Sequence, residues 1–203
     1  DLEAMRIACE AVIRFAERFA EKTREMMKDE ADAQRREELE KIAEVCSWVP
    51  ANPPRTLHEA FQAYLFSYIV SYLLEYRSQA CGSRWDVLFY PFYKKDVEEG
   101  RITREGAQEL AECQLIKMEE MGRVIPREHH GISSGASMFQ QIMLGGVTKD
   151  GEDACNEFTL IVLDAAMKVR NPLTNIAFRY HPKVNPKAVS KVIDCIRTGL
   201  GYP

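Results

Sequence analysis

Several classes of protein are excluded by what this sequence lacks. It has no Cys-x-x-Cys pair. Its six cysteines, Cys9, Cys46, Cys81, Cys113, Cys155 and Cys195, stand 32 to 42 residues apart, which spells out no structural zinc site. Histidine is scarce, at four residues. His129 and His130 are adjacent and so point apart, and no carboxylate or cysteine is spaced to join them, so they read as a surface loop rather than a metal pair. No apolar run reaches the ~20 residues of a spanning helix. The apolar, uncharged stretch 60–74 carries Gln62 and Ser67. There is no excess of basic charge either. Lys and Arg number 27 against 31 Asp and Glu, a net charge of −4, which argues against a broad nucleic-acid face. Eleven Gly and nine Pro are too few for a collagenous or disordered chain, and no self-similarity at a fixed period is visible.

What is present is a globular composition, 46% hydrophobic and 29% charged over 203 residues. That is the size of one domain or a piece of a larger one. The chain opens at Asp1 with neither Met nor an apolar leader and stops after Gly201-Tyr202-Pro203. The expectation is a fragment of a cytoplasmic protein with reduced thiols.

Hydrophobic spacing predicts helices over 3–30 and 33–47. Ala8, Ala11, Val12, Phe15 and Phe19 face inward in the first, and Leu39, Ile42, Val45 and Cys46 in the second. Pro50-Ala51-Asn52-Pro53-Pro54 halts helix formation. Thr56 and Glu59 then form a capping box for a helix running to about Arg77. Its apolar residues cover more than one stripe, which predicts burial on most sides, Tyr64, Tyr68 and Tyr72 included. Cys81 to Asp86 and Tyr90 to Tyr93 read as turn and extended chain. Helix returns over 103–121, with Ala107, Leu110, Ala111, Leu115 and Met118 inward. A Gly/Ser-rich loop at 129–135 leads to a strand from Met138 to Val147 that ends in Gly145-Gly146, and Thr148 to Asp153 forms a polar turn. A helix from Asp153 presents Phe158, Val162, Ala165 and Val169 on one face and ends at Asn171-Pro172. Leu173 to His181 is a second strand. Asn185-Pro186 then caps a last helix that ends at Gly199. Strand, helix and strand in this order form a βαβ unit, so the two strands should be parallel with a right-handed crossover. The fold class is α/β, with residues 1–125 mainly helical and 126–203 the βαβ unit.

Collinear segments across nearly the whole chain resemble the glycyl radical enzymes, the family that includes pyruvate formate-lyase. They are Val49 to Ala60, Arg84-Trp85-Asp86 with Tyr90 to Tyr93, Phe139 to Gly146, Asp153 to Glu157 with Leu163-Asp164, Pro172 to His181, and Gly199 to Pro203. The resemblance implies part of a ten-stranded α/β barrel, with residues 1–125 as helical wrap and 126–203 as the first barrel strands. Asp153-Ala154-Cys155-Asn156 and Asn171 to His181 look most like the catalytic subunits of the fumarate-adding branch, the alkylsuccinate and benzylsuccinate synthases. That branch implies addition of an n-alkane or alkylbenzene C–H across fumarate. Other branches are the alternative, namely arylacetate decarboxylases, diol or choline-type lyases and formate acetyltransferases. A non-catalytic helical interaction domain is the alternative of another class.

The resemblance further implies no metal and no directly bound cofactor. The glycyl radical is installed by a separate radical-SAM activating enzyme. Small accessory subunits and an oligomeric full-length enzyme are expected partners, without nucleic acid or membrane. The thiyl cysteine and the radical glycine are expected outside these residues, so the fragment alone is expected to be inactive and poorly soluble. Candidate substrate-binding residues are Cys81, Ser83, Ile132, Met138, Phe139 and Gln140. The first two sit where relatives place a small polar residue, and the others lead into the first barrel strand. Gly145-Gly146 allows close backbone approach. Arg84, Arg179 and His181 are possible anion partners, although Arg84 and Asp86 read first as a structural ion pair. Asp150-Gly151 reads as a turn, because the remaining ligands of a calcium loop are missing.

Overall fold

The computed structural model describes residues 1–74, 83–120, 140–171 and 174–202. They divide into two compact units, Asp1–Val70 and Ser71–Pro203.

In the first unit, α1 (Leu2–Asp29) lies against α2 (Ala33–Trp48). A turn beginning with Glu30 joins them, and Asp32 caps α2 by accepting from the Arg35 amide at 2.8 Å. Ala16, Ala20, Cys46 and Phe66 form the buried cluster, with Val12, Phe15 and Ile42 packed against it. Phe15 meets Phe66 edge-on at 6.1 Å. The expected inward positions Ala8, Ala11 and Phe19 are exposed instead. For Ala8 and Ala11 the reason is length. α1 has 28 residues and α2 has 16, about 42 Å against about 24 Å, so the first turns of α1 run past their partner.

The next helix, α3 (Leu57–Leu74), begins where the capping box places it. The Glu59 amide donates to Thr56 Oγ1 at 3.2 Å, while the Glu59 carboxylate reaches further back to the Arg55 amide at 2.6 Å and to its guanidinium. Arg55 also lies over the Trp48 ring at 3.9 Å. Tyr68 is buried and Tyr64 half-buried. The rest of the predicted helix to Arg77, and the side chain of Tyr72, lie outside the described residues.

The second unit corrects one local expectation. Trp85–Leu88 and Tyr90–Glu98 are helices, α4 and α5, rather than extended chain. Pro91 sits in the first turn of α5, where its missing amide costs no helical bond. The two helices bring Trp85, Phe89 and Tyr93 inward against Phe158, with Tyr93 and Phe158 at 5.6 Å. The following helix, α6 (Arg104–Glu120), buries Ala107, Ala111, Leu115 and Met118 as its spacing predicts, with Leu110 half-buried.

The strands are β1 (Gln140–Gly145) and β2 (Thr174–Arg179), paired in parallel from Gln140 opposite Thr174 to Gly145 opposite Arg179. Between them runs α7 (Glu157–Val169), which starts four residues later than the expected Asp153. Asn156 is its cap. The Asn156 side chain accepts from the Thr159 amide and Thr159 Oγ1 accepts from the Asn156 amide, a reciprocal capping box. Phe158, Ile161, Val162, Leu163, Ala165 and Ala166 are all buried, more than one stripe, because α7 is covered by α4, α5, α6 and the last helix. Arg170 closes it with φ 55°, a left-handed cap on a residue other than glycine. That last helix, α8 (Pro186–Arg197), is capped by Asn185, whose side chain accepts from the Lys187 amide at 2.9 Å.

No helix among the described residues is long and apolar enough to cross a membrane. Their cysteines, Cys9, Cys46, Cys113, Cys155 and Cys195, are free thiols.

Candidate functional site

In parallel β/α folds the carboxyl ends of the strands carry the chemistry, because loops from successive units converge there. Here that end is built from Gly145-Gly146, the turn after them, and the residues following β2. Arg84 pairs with Met143 as a one-residue extension of the sheet, and the Met143 amide donates to Ser83 O at 3.2 Å. The Ser83–Asp86 segment is thereby laid along the free edge of β1.

From this edge two side chains reach Gly145. Asp86, fully buried, accepts from the Gly145 amide at 2.6 Å and from Thr159 Oγ1 at 3.0 Å. Arg84 donates through Nη2 to Gly145 O and through Nη1 to Val147 O. Among the described residues Arg84 and Asp86 make no direct ion pair, which corrects that expectation. Both instead hold the same glycine about sixty positions away, beside a further bond each to Val147 and Thr159. Burial pushes the Asp86 carboxyl up, against the opposing bonds from Gly145 and Thr159 and the charge of Arg84.

Gly145 and Gly146 both adopt positive φ, 70° and 81°. A Cβ on Gly145 would stand 2.9 Å from Phe178 Cε2, and one on Gly146 would stand 3.2 Å from Arg179 Cβ. Glycine is therefore required at both positions, on backbone and packing grounds. The corner is stitched by Gly146 N to Arg179 O at 2.7 Å and by Ala154 N to Gly146 O at 2.9 Å.

Asp153 ties the neighbouring loops together. Its Oδ1 receives the Cys155 amide and His181 Nε2, each at 3.0 Å, and its Oδ2 receives the Asn185 amide at 2.7 Å. Burial pushes the Asp153 carboxyl up, but these bonds outweigh it and hold it below the ordinary aspartate value. The Cys155 thiol is pushed up to about 12, first by burial and then by its hydrogen bond to Asp153. It is a protonated thiol at neutral pH, not an activated nucleophile.

Of the sequence-predicted site residues, Ser83 lies at this edge, and its buried Oγ has no hydrogen-bond partner among the described residues. Gln140 opens β1 opposite Thr174. Cys81, Ile132, Met138 and Phe139 lie outside the described residues, as do His129 and His130. Among the anion candidates, Arg84 is committed to backbone carbonyls and His181 to Asp153. Arg179 is exposed, with no side-chain hydrogen bond among the described residues. No group of three His, Cys, Asp or Glu among the described residues could hold a metal ion. Sequence reasoning missed Asp86, Asn156 and Thr159 as parts of this end. The Asn156-x-x-Thr159 spacing was the available signal for the last two.

Comparison with known proteins bears on all 203 residues. The profile of the family described as Pyruvate formate lyase-like matches residues 1–203. Isethionate sulfite-lyase of Nitratidesulfovibrio vulgaris is 35% identical over 204 residues, covering 100% of this chain and 25% of its own length. Trans-4-hydroxy-L-proline dehydratase of Clostridioides difficile is 36% identical over 212 residues, covering 100% of this chain and 26% of its own. A solved structure described for 1,2-propanediol dehydration in Roseburia inulinivorans superposes with a TM-score of 0.91 at 35% identity, covering 98% of this chain and 25% of that one. The chain thus spans about a quarter of the length of each.

Proposed function

Because the chain belongs to the pyruvate formate lyase-like family, the glycyl radical enzymes, we propose that the enzyme containing it is an eliminating lyase acting on a small polar molecule. The fumarate-adding reading yields to the diol-type lyase alternative. The observation that carries this is the 35% identity and TM-score of 0.91 to the propanediol-dehydrating protein, with the relatives above named for loss of water or sulfite.

The fold adds a physical reason. The two segments behind the fumarate-adding reading are framework here. Asp153 binds His181 and Asn185, Asn156 caps α7 and donates to Asp86 O at 2.8 Å, and Asn171 donates to Leu115 O. Likeness in such residues reports a shared scaffold rather than a shared substrate.

In this reading the thiyl cysteine and the radical glycine lie outside residues 1–203, in the remainder of a chain about four times as long. When present, the radical removes a hydrogen atom from a substrate carbon, a group leaves the adjacent carbon, and the hydrogen atom is returned. The residues of this chain form one wall at the carboxyl end of the strands. Ser83, with its unpartnered hydroxyl, offers a polar contact there. Cys81, Ile132, Met138, Phe139 and Gln140 are the further substrate-binding residues of this reading. Related enzymes receive their radical from an activating enzyme, and a radical-SAM activase is the proposed partner. Free thiols and an oxygen-sensitive radical suit a reducing cytoplasm.

The test uses the full-length protein, activated anaerobically, with the glycyl radical counted by electron paramagnetic resonance. It is offered 1,2-propanediol, glycerol, trans-4-hydroxy-L-proline and isethionate, and separately fumarate with hexane or toluene. An elimination product, such as an aldehyde or sulfite, is the expected result. A substituted succinate from the fumarate arm, with no elimination product, overturns the reading.

A further inference from the structure

We infer that Arg84 and Asp86 are positioning residues for the reaction, holding the Gly145 peptide so that the Gly145–Gly146 corner keeps its shape beside the substrate. The inference rests on the reading above in one respect, that the carboxyl end of the strands faces the substrate.

Both polar groups of Gly145 are held by side chains, the N–H by Asp86 and the C=O by Arg84. These side chains come from the segment lying along the free edge of β1, so the corner is gripped from outside the β1–β2 ladder. The same Asp86 oxygen also receives Thr159 Oγ1, which keys the grip to the first turn of α7.

A clamp needed only for stability should leave no buried polar atom unmet, because each such atom carries its full desolvation cost. Among the described residues this one leaves three over the stretch 83–86, Ser83 Oγ, Arg84 Nε and Asp86 Oδ1. Buried polar atoms left over at this end of the strands call for a role besides folding.

The corner is also bare backbone. Both glycines have positive φ and the Phe178 ring lies 2.9 Å from where a Gly145 Cβ would stand, so no side chain of its own fits there and its shape depends on groups reaching in from elsewhere. Releasing either grip therefore moves backbone that the substrate meets, without removing any group that touches the reacting atoms.

The experiment uses the activated full-length enzyme with Asp86→Ala, Asp86→Asn, Arg84→Met and Arg84→Lys. Activity is normalised to glycyl radical content and measured with whichever substrate the wild type turns over, by elimination or by fumarate addition. Amide hydrogen exchange of the peptide spanning 140–147 is followed in parallel. Asp86→Ala and Arg84→Met are expected to speed exchange in that peptide at least tenfold and to lower kcat at least tenfold, with KM changed less than threefold. Asp86→Asn, which keeps an acceptor for Gly145, is expected to recover to within threefold of wild type, and Arg84→Lys to lie between. Faster exchange with kcat per radical unchanged overturns the inference, and so does unchanged exchange in the Ala and Met variants. Failure of the elimination reading would show in the wild-type product, whereas failure of the clamp shows only in the ratio of variant to wild type.

Discussion

His181 donates through Nε2 to Asp153 Oδ1 at 3.0 Å, and this contact joins the loop after β1 to the loop after β2. The Asn185 amide on the other Asp153 oxygen makes the joint two-sided, since Asn185 is also the cap of α8.

Asp153→Ala should therefore destabilise the folded protein by about 2 kcal/mol, the usual size for lost hydrogen bonds to a charged group. The sign of the pH dependence follows from a carboxyl held low. The stabilisation is fully present above the ordinary aspartate value, about 3.9, and is lost as pH falls through the lower folded value. Urea unfolding of full-length wild type and variant should show a gap that is constant at neutral pH and narrows in acid below about pH 4.

Gly145→Ala and Gly151→Ala separate packing from backbone strain. Both positions have positive φ, but a Cβ at Gly151 meets nothing within 4 Å. The expected losses are about 1 kcal/mol for Gly151→Ala and about 3 kcal/mol for Gly145→Ala. Adding Phe178→Leu to each should recover part of the Gly145→Ala loss and none of the Gly151→Ala loss. Chemical denaturation of the four variants checks this.

Phe158 tests the aromatic core, being fully buried and set between Tyr93 and Phe89. Phe158→Ala should cost about 4 kcal/mol and Phe158→Leu roughly half as much, since leucine fills part of the cavity. A loss below about 1 kcal/mol for the alanine variant, the level of an ordinary surface substitution, would contradict the packing described.

Cys155 should resist alkylation at pH 8, because its thiol is raised to about 12 by burial and by Asp153. Asp153→Asn removes the charge and leaves the burial, so the thiol should fall part of the way and react several-fold faster. Mass spectrometry after iodoacetamide labelling reads the change residue by residue.

Helix positions were legible wherever apolar spacing was long and regular, as in α1, α2 and α6. Two elements were not legible, for different reasons. Tyr90-Pro91-Phe92-Tyr93 looks extended because aromatic residues and proline favour extended chain locally. Burial of Tyr93 against Phe158 overrides that preference, and Pro91 falls where a helix tolerates it. Asp153 looks like a helix cap, yet its carboxylate is taken by His181 and Asn185, 28 and 32 positions away. At the candidate site, the close backbone approach at Gly145-Gly146 was legible from residue type alone. The roles of Arg84 and Asp86 were hidden because opposite charges two residues apart suggest a mutual pair, and nothing nearby in the chain points to Gly145.

The bonds that fasten Asp86 to Gly145, Asn156 and Thr159 cross 59, 70 and 73 positions. A strand–helix–strand unit is usually a local affair, able to form as soon as its own residues are made. This one has its corner and the first turn of its crossover helix anchored in chain that comes much earlier, so closing a long loop precedes its completion. Loop closure of that span slows folding more than it weakens the folded state. β1, α7 and β2 should therefore gain amide protection together, and only once the Arg84–Asp86 segment has arrived.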